Sequence, residues 1–103
     1  MINYCPLESN IKAVVRFYNK FFDGLLPPVH TISKCLSCGI RKTLMLYGEQ
    51  CIVEVFKEVK SLVIESKDAR DYLYLRFIMT DHHVFTALLH DYFKRMKRKG
   101  GAA

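Results

Sequence analysis

Apolar residues recur every three or four positions through most of the chain, a spacing that predicts helices. The first stripe runs from residue 11 to residue 25, and Ser9 or Asn10 is placed to cap its start. Gly24 is a residue type that ends helices, and the Pro27–Pro28 pair prevents this helix from continuing. The apolar positions of this stripe are Ile11, Val14, Val15, Tyr18, Phe21, Phe22 and Leu25.

Two further predicted helices meet at Gly48. The second spans about residues 34–47 with Ser33 as its N-cap, and the third spans about residues 49–62. Gly39 lies inside the second helix, where glycine is less favourable than alanine by about 1 kcal/mol. The apolar stripes are Cys35, Leu36, Ile40, Leu44 and Tyr47 in the second helix and Ile52, Val55, Phe56, Val59 and Leu62 in the third.

The last third of the chain alternates between polar and apolar segments. Residues 65–71 are polar and predict a loop, whereas residues 72–79 are nearly all apolar and too short to assign by spacing. A final helix begins after Thr80 or Asp81. The pattern as a whole predicts an all-α fold, a single small domain of four to five short helices. The expected core residues are Phe21, Ile40, Leu44, Ile52, Phe56, Phe85 and Leu88.

Positive charge is concentrated at the C-terminal end. The 103 residues have a net charge of +6, and five of the sixteen basic residues lie in residues 94–99. Without residues 94–103, eleven basic residues face ten acidic ones, which leaves a net charge of +1. We therefore divide the chain into a helical module, residues 1–93, and a basic, flexible tail, residues 94–103. The basic residues of the tail are Lys94, Arg95, Lys97, Arg98 and Lys99.

Two interpretations of this basic run remain open. Its cations can neutralise phosphates, which would give weak, salt-sensitive and sequence-independent contact with DNA or RNA. They can equally form a solvated helix end whose positive charge complements the helix dipole. The nearly neutral module argues against a broad nucleic-acid-binding surface on the fold itself.

Patterns that carry catalysis or metal binding are weak in this chain. Cys35 and Cys38 form a C-x-x-C pair, but no second pair of ligands follows at the spacing of a zinc site. Asp81-His82-His83 is interpreted as a helix start, because no nucleophile, phosphate loop or carboxylate pair accompanies it. We therefore expect no enzymatic activity, no cofactor and no bound metal.

The chain also lacks the patterns that direct a protein to a membrane. It has no run of about 18 apolar residues, which a transmembrane helix needs. The N-terminus has neither the basic nor the apolar region of a secretory signal. We therefore expect a cytoplasmic protein with reduced cysteines and no membrane partner.

The most unusual local feature is the apolar block of residues 72–79. A small domain that buries all of these side chains is one interpretation. The other is a protein-binding face, because Tyr, Phe, Met and Arg are enriched at interfaces. A domain of this size buries about 65% of its unfolded surface, so its thirteen aromatic residues are hard to hide completely. The candidate contact residues, for a partner or for a second copy of the chain, are Tyr72, Tyr74, Phe77 and Met79.

Several landmarks in order along the chain carry a resemblance to a known family. Tyr18-Asn19 lies in the first helix, Leu26-Pro27 follows it, Arg41-Lys42 makes the second helix basic, and Leu88-Leu89 lies near the end. In this order they resemble the helical module at the C-terminal end of many phage and plasmid replication-initiation proteins. That module is related to DnaD-like primosomal domains. The chain has neither the family's serine-phenylalanine-leucine turn nor its tryptophan; Ser61-Leu62 or Ser66 is the stand-in for the turn, and residues 72–77 are the stand-in for the tryptophan segment.

The resemblance implies a short buried helix within residues 72–79 and a role in DNA replication. DnaD-like domains help deliver the replicative helicase to DNA, so the implied partner is a bacterial helicase loader or the helicase itself. In the replication proteins the module follows a winged-helix DNA-binding domain, whereas here we expect it to act alone. A free module of a phage or mobile element would serve as an accessory factor or as an inhibitor of host replication.

Overall fold

The computed structural model describes the backbone of residues 8–101 and the side chains of residues 8–98, and this part of the chain is all-α. The predicted fold class, a single small domain built from short helices, is confirmed. The helices of the described residues are α1 (Glu8–Phe21), α2 (Lys34–Glu65), α3 (Lys67–Tyr72), α4 (Leu75–Thr80) and α5 (His82–Gly101).

Capping side chains set three of the helix starts. The Ser33 hydroxyl oxygen accepts a hydrogen bond from the Leu36 N–H at 3.2 Å, which confirms Ser33 as the N-cap of α2. Asp81 accepts from the His83 and Val84 N–H groups at 3.1 and 3.3 Å, so Asp81 rather than Thr80 caps α5. Ser66 caps α3 in the same way.

Gly48 divides α2 into two halves, residues 34–47 and 49–65. Its φ of 85° and ψ of 171° fall outside the helical region, in a part of conformational space that is essentially restricted to glycine. The helix boundary predicted at Gly48 is therefore confirmed. Gly24 also has a positive φ, 80°, in the turn that follows α1.

Three long helical segments run in the same direction: α1, the second half of α2 and α5. The Phe17 and Phe56 ring centroids are 5.8 Å apart, and the Lys60 ammonium lies 4.4 Å from the Phe21 ring centroid. Successive positions of α1 thus meet successive positions of the second half of α2. α5 starts beside Tyr47, since the Tyr47 and Phe85 ring centroids are 4.7 Å apart. Near the end of α5, Arg95 pairs with Glu58 in the second half of α2.

The core lies between α2 and the helices packed around it. Six of the seven predicted core residues are buried; the exception is Phe21, which is half-buried while its neighbour Phe22 is fully buried. Phe56 lies at the centre of an aromatic cluster with Phe17, Tyr18 and Phe22. Phe21, the last residue of α1, and Phe22, which follows it, differ in burial, and apolar spacing alone did not distinguish them.

The first half of α2 packs closely against α4. A Cβ atom added at Gly39 would lie 2.8 Å from the Met79 carbonyl oxygen, closer than real Cβ contacts allow. The buried Thr43 hydroxyl donates to the Gly39 carbonyl at 2.7 Å and lies 3.3 Å from the Met79 carbonyl. Gly39, unfavourable for an isolated helix, is therefore required by the packing of two helices.

Three sequence predictions about helix boundaries are wrong. Ser9 and Asn10 do not cap α1, because the helix already includes Glu8, whose carboxylate pairs with Lys12 at 3.9 Å. The predicted loop at residues 65–71 contains α3, since Ser66 caps a new turn whose Ala69 is buried. The basic run expected to be flexible is helical through Gly101, as α5 contains no helix-breaking residue before Gly100; residues 102–103 lie outside the described part.

Candidate protein-binding surface and groove

Three aromatic side chains from the apolar block form one exposed cluster, which we call the aromatic surface: Tyr72, Tyr74 and Phe77. The Phe77 ring centroid lies 6.3 Å from that of Tyr72 and 6.1 Å from that of Tyr74. Tyr72 is 51% exposed and Tyr74 is 45% exposed, while Phe77 is half-buried beneath them. The structure therefore brings three of the four predicted contact residues together at the surface.

The fourth predicted contact residue, Met79, does not belong to this surface. Its side chain is fully buried, and its carbonyl oxygen is in contact with the first half of α2. The prediction for Met79 is wrong because α4 is a helix with two faces, and positions 75, 78 and 79 face the core. The short helix implied by the resemblance is present, but it begins at Leu75 rather than at Tyr72.

An open groove of about 490 Å³ lies beside Tyr74. One wall is the segment Pro27–Val29, and the other is formed by residues 70–76, where α3 ends and α4 begins. Asn19 fixes the first wall, because its carboxamide donates to the Val29 carbonyl at 2.8 Å and accepts from the Val29 N–H at 2.7 Å. This double hydrogen bond satisfies both backbone polar groups of Val29 and so fixes the connection after α1.

Tyr18 lies at the base of the groove and is only 1% exposed. Its hydroxyl oxygen accepts a hydrogen bond from the backbone N–H of Leu75, the first residue of α4. Burial raises the pKa of Tyr18 above its usual value, and the N–H donated by Leu75 lowers it in part. Tyr18 thus joins α1 to the start of α4 while it remains a neutral phenol.

Two arginines line the groove, Arg70 and Arg76. The Arg70 Nε donates to the Val63 carbonyl at 2.8 Å, which fixes the plane of the guanidinium. Both side chains are exposed, and no described carboxylate forms an ion pair with either of them. Asp71 also lines the groove without pairing to them. The groove therefore combines apolar walls with two unpaired cations and one anion.

The basic end of α5 presents a second charged surface. Lys94, Lys97 and Arg98 are three and four positions apart, so they share one helix face, and all three are exposed. Arg95 lies on a different face: it donates to the buried Glu58 carboxylate and to the Ser61 hydroxyl, the latter at 2.6 Å. Arg95 is therefore a structural residue, and the side chain of Lys99 lies outside the described part.

Thiols and imidazoles do not converge in the described residues. Cys35 and Cys38 are both exposed on the first turns of α2, with no third ligand near them. No group of three or more His, Cys, Asp or Glu side chains within residues 8–98 is arranged to hold a metal ion. Burial, followed by the charge of Glu54, raises the pKa of the Cys51 thiol. Among the described helices, none is both long enough and apolar enough to cross a membrane.

Sequence reasoning missed the groove and the Arg95–Glu58 pair. The groove is assembled from residues 18, 27–36 and 70–76, which are distant along the chain, and no local pattern connects them. Glu58 gave a weak signal, since it lies three positions from Val55 and one from Val59, at the edge of the predicted apolar stripe. Its partner, Arg95, lies in the basic run that the sequence pattern assigned to a flexible tail, so the pair was not predicted.

The chain was compared with protein-family models, with curated proteins and with solved structures, and none of the three comparisons finds a match.

Proposed function

We propose that this chain is a non-catalytic protein-binding module that contacts its partner through the aromatic surface. The observation that carries the proposal is the clustering of Tyr72, Tyr74 and Phe77, with two rings about half exposed. Tyrosine and phenylalanine anchors at the centre of an interface supply much of its binding free energy. The helical frame beneath them is packed, so the rings are held in position before a partner arrives.

The proposed partner is a bacterial helicase loader or the replicative helicase, encountered in the cytoplasm. The resemblance to DnaD-like primosomal modules supports this choice. Two of the residues that carry the resemblance have structural roles at the groove: Tyr18 lies at its base and Asn19 fixes its wall. A chain of a phage or mobile element that occupies the host loader would inhibit host replication.

A capture experiment tests the proposal. The tagged chain is incubated with bacterial lysate before and after nuclease treatment, and bound proteins are identified by mass spectrometry. We expect a helicase or its loader in both samples. The Tyr72→Ala/Tyr74→Ala variant should bind this partner at least about thirtyfold more weakly, since one anchoring tyrosine contributes about 2 kcal/mol.

The matched control is Met45→Ala/Leu46→Ala. It also removes two large exposed apolar side chains, from α2 and outside the aromatic surface, and should leave capture unchanged. Circular dichroism establishes that each variant is folded. Capture of other proteins only, or equal capture by both double variants, would contradict the proposal.

Nucleic-acid binding is the second candidate function, favoured by the shared face of Lys94, Lys97 and Arg98. Deleting the basic run would also remove Arg95 and weaken the fold, so charge reversal at these three positions is the better test. If each cation neutralises one phosphate of duplex DNA, reversal should reduce the slope of log affinity against log salt by about 2.7. An unchanged slope would exclude this helix face.

A further inference from the structure

We propose that the groove beside Tyr74 binds an acidic peptide segment that carries an apolar side chain next to its carboxylates. This inference rests on the proposed protein-binding function and names the chemistry of the partner. The occupant has to satisfy two features at once: apolar walls from Pro27, Pro28 and the Tyr74 ring, and the unpaired guanidinium groups of Arg70 and Arg76.

The arginines determine the sign of the ligand. The Arg70 Nε donates to the Val63 carbonyl, which fixes the plane of the guanidinium. The two terminal nitrogens of Arg70 remain available to a ligand in that plane. A planar guanidinium held in this way matches a carboxylate through two parallel hydrogen bonds. Arg76 is exposed on α4 and follows Tyr74 in the sequence, whereas Arg70 precedes it. Arg76 can donate hydrogen bonds to a second carboxylate. Two acidic residues that flank one apolar residue fit this arrangement.

The walls determine the apolar part of the ligand. Proline rings cannot reorganise, and Asn19 anchors the adjoining Val29 at both its N–H and its carbonyl, so this wall is formed before binding. Tyr74 lies on the opposite side and also belongs to the aromatic surface, which makes the two features continuous. An aromatic side chain that entered between them would bury its ring against proline and tyrosine.

Asp71 favours a peptide over a nucleic acid. Its carboxylate lines the same groove, where it would repel a strand that carries a phosphate at every residue. A peptide with two carboxylates brings less negative charge past Asp71 than such a strand does. The groove volume of about 490 Å³ accommodates a few side chains rather than a folded domain.

Fluorescence anisotropy with purified protein tests this proposal. The probe is a labelled nonapeptide with Asp-Phe-Asp at the centre of a glycine-serine background. The comparison probes replace the centre by Lys-Phe-Lys or Asp-Ser-Asp, and an oligothymidylate represents nucleic acid. We expect saturable binding of the Asp-Phe-Asp peptide below about 1 mM and at least about tenfold weaker binding of the other three.

Two variants localise the binding. Arg76→Glu should weaken the Asp-Phe-Asp peptide at least about tenfold, because it loses a charge-assisted hydrogen bond and adds a repulsion. Arg16→Glu makes the same charge change at an exposed position of α1 that does not line the groove, and should leave affinity within about twofold. A general electrostatic attraction would make both variants equal, and that result would overturn the proposal.

The remaining outcomes are also decisive. No binding of the Asp-Phe-Asp peptide below about 1 mM, or equal binding of the Lys-Phe-Lys peptide, overturns the groove assignment. Preference for the oligothymidylate shows a nucleic-acid site instead. The proposed function is tested separately by capture of a replication protein, so either idea can fail alone. Peptide binding without such capture would leave an acidic-peptide groove in a protein with another partner.

Discussion

At the scale of single residues, two positions show how α4 is held in place. Gly39 allows the α4 backbone to approach α2, and Tyr18 accepts a hydrogen bond from the first N–H of α4. One contact depends on a missing side chain and the other on a buried hydroxyl. Both positions lie far from α4 in the sequence, so their roles follow from packing rather than from local pattern.

Replacing Gly39 by alanine should destabilise the protein by about 2 kcal/mol in urea unfolding. The added methyl group would meet the Met79 carbonyl at 2.8 Å, and a backbone atom cannot rotate away as a side chain can. This overpacking outweighs the gain in helix propensity of about 1 kcal/mol. Gln50→Ala, at an exposed position of the same helix, should change stability by less than about 0.5 kcal/mol. A stabilised Gly39→Ala variant would show that the helices separate easily.

Alkaline pH should destabilise the protein through Tyr18. Its pKa is raised in the folded state, whereas in the unfolded chain it is near the ordinary value of 10.0. The stabilising contribution is therefore fully present below pH 10.0 and is lost as the pH rises towards the folded-state pKa. Urea unfolding at several pH values should show a smaller alkaline decline for Tyr18→Phe than for the unchanged protein. Parallel declines would mean that another group is responsible.

The residues of helix starts and stops were largely predictable, whereas the residues of tertiary contacts were not. Ser33 and Gly48 act through the backbone within a few positions of themselves, so sequence alone assigned them. Phe21 and Phe22 are adjacent in one apolar stripe, and only the position of Phe56 decides that Phe22 is the more buried. The exposure of Tyr72 and Tyr74 was predictable, because a nearly continuous apolar block cannot place every side chain inward.

At the scale of elements, α5 is held to α2 near its end by one side chain, Arg95. Arg95 donates to the Glu58 carboxylate and the Ser61 hydroxyl on α2, seven positions beyond Leu88, which is 6% exposed. Glu58 is 8% exposed at its side chain and Arg95 is 33% exposed, so the pair is largely shielded from water. The contact explains why the basic run continues as a helix against α2.

Removing one partner of this pair should be worse than removing both. Arg95→Met leaves a buried carboxylate without a cation and should lower the free energy of unfolding by roughly 2 kcal/mol. This loss is smaller than for a fully buried pair, because Arg95 is partly exposed to solvent. The Glu58→Leu/Arg95→Met double variant should recover at least half of that loss. Arg98→Met, at an exposed position on the same helix, serves as the control. The Glu58→Leu single variant completes the double-mutant cycle, and additive effects of the two single substitutions in chemical unfolding would show that the pair does not interact.

At the scale of the whole molecule, α2 contacts every other helix, so the domain has one core rather than separable parts. The molecule measures 40 × 37 × 22 Å, and its shortest dimension is about two helix diameters. Helical periodicity predicted the fold class. It did not predict which helices are parallel, because that depends on which apolar faces meet, and the groove follows from that arrangement.

A conservative change at the centre should weaken the whole domain at once. Phe56→Leu disturbs the ring contacts with Phe17, Tyr18 and Phe22 and should cost about 1.5 kcal/mol. Far-ultraviolet circular dichroism and tyrosine fluorescence should report the same urea midpoint, lowered equally for both probes. Two separate midpoints would show that α1 or α5 unfolds independently.

The parallel course of α1, the second half of α2 and α5 has a topological consequence. After α1, and again after the second half of α2, the chain must return along the molecule before the next parallel segment can begin. The first half of α2 makes the first return, and α3 with α4 makes the second, and these two returns pack together at Gly39 and Met79. The groove and the aromatic surface are built mainly from these return paths. Recognition can therefore change by substitution in the return paths, while the three parallel segments keep the fold.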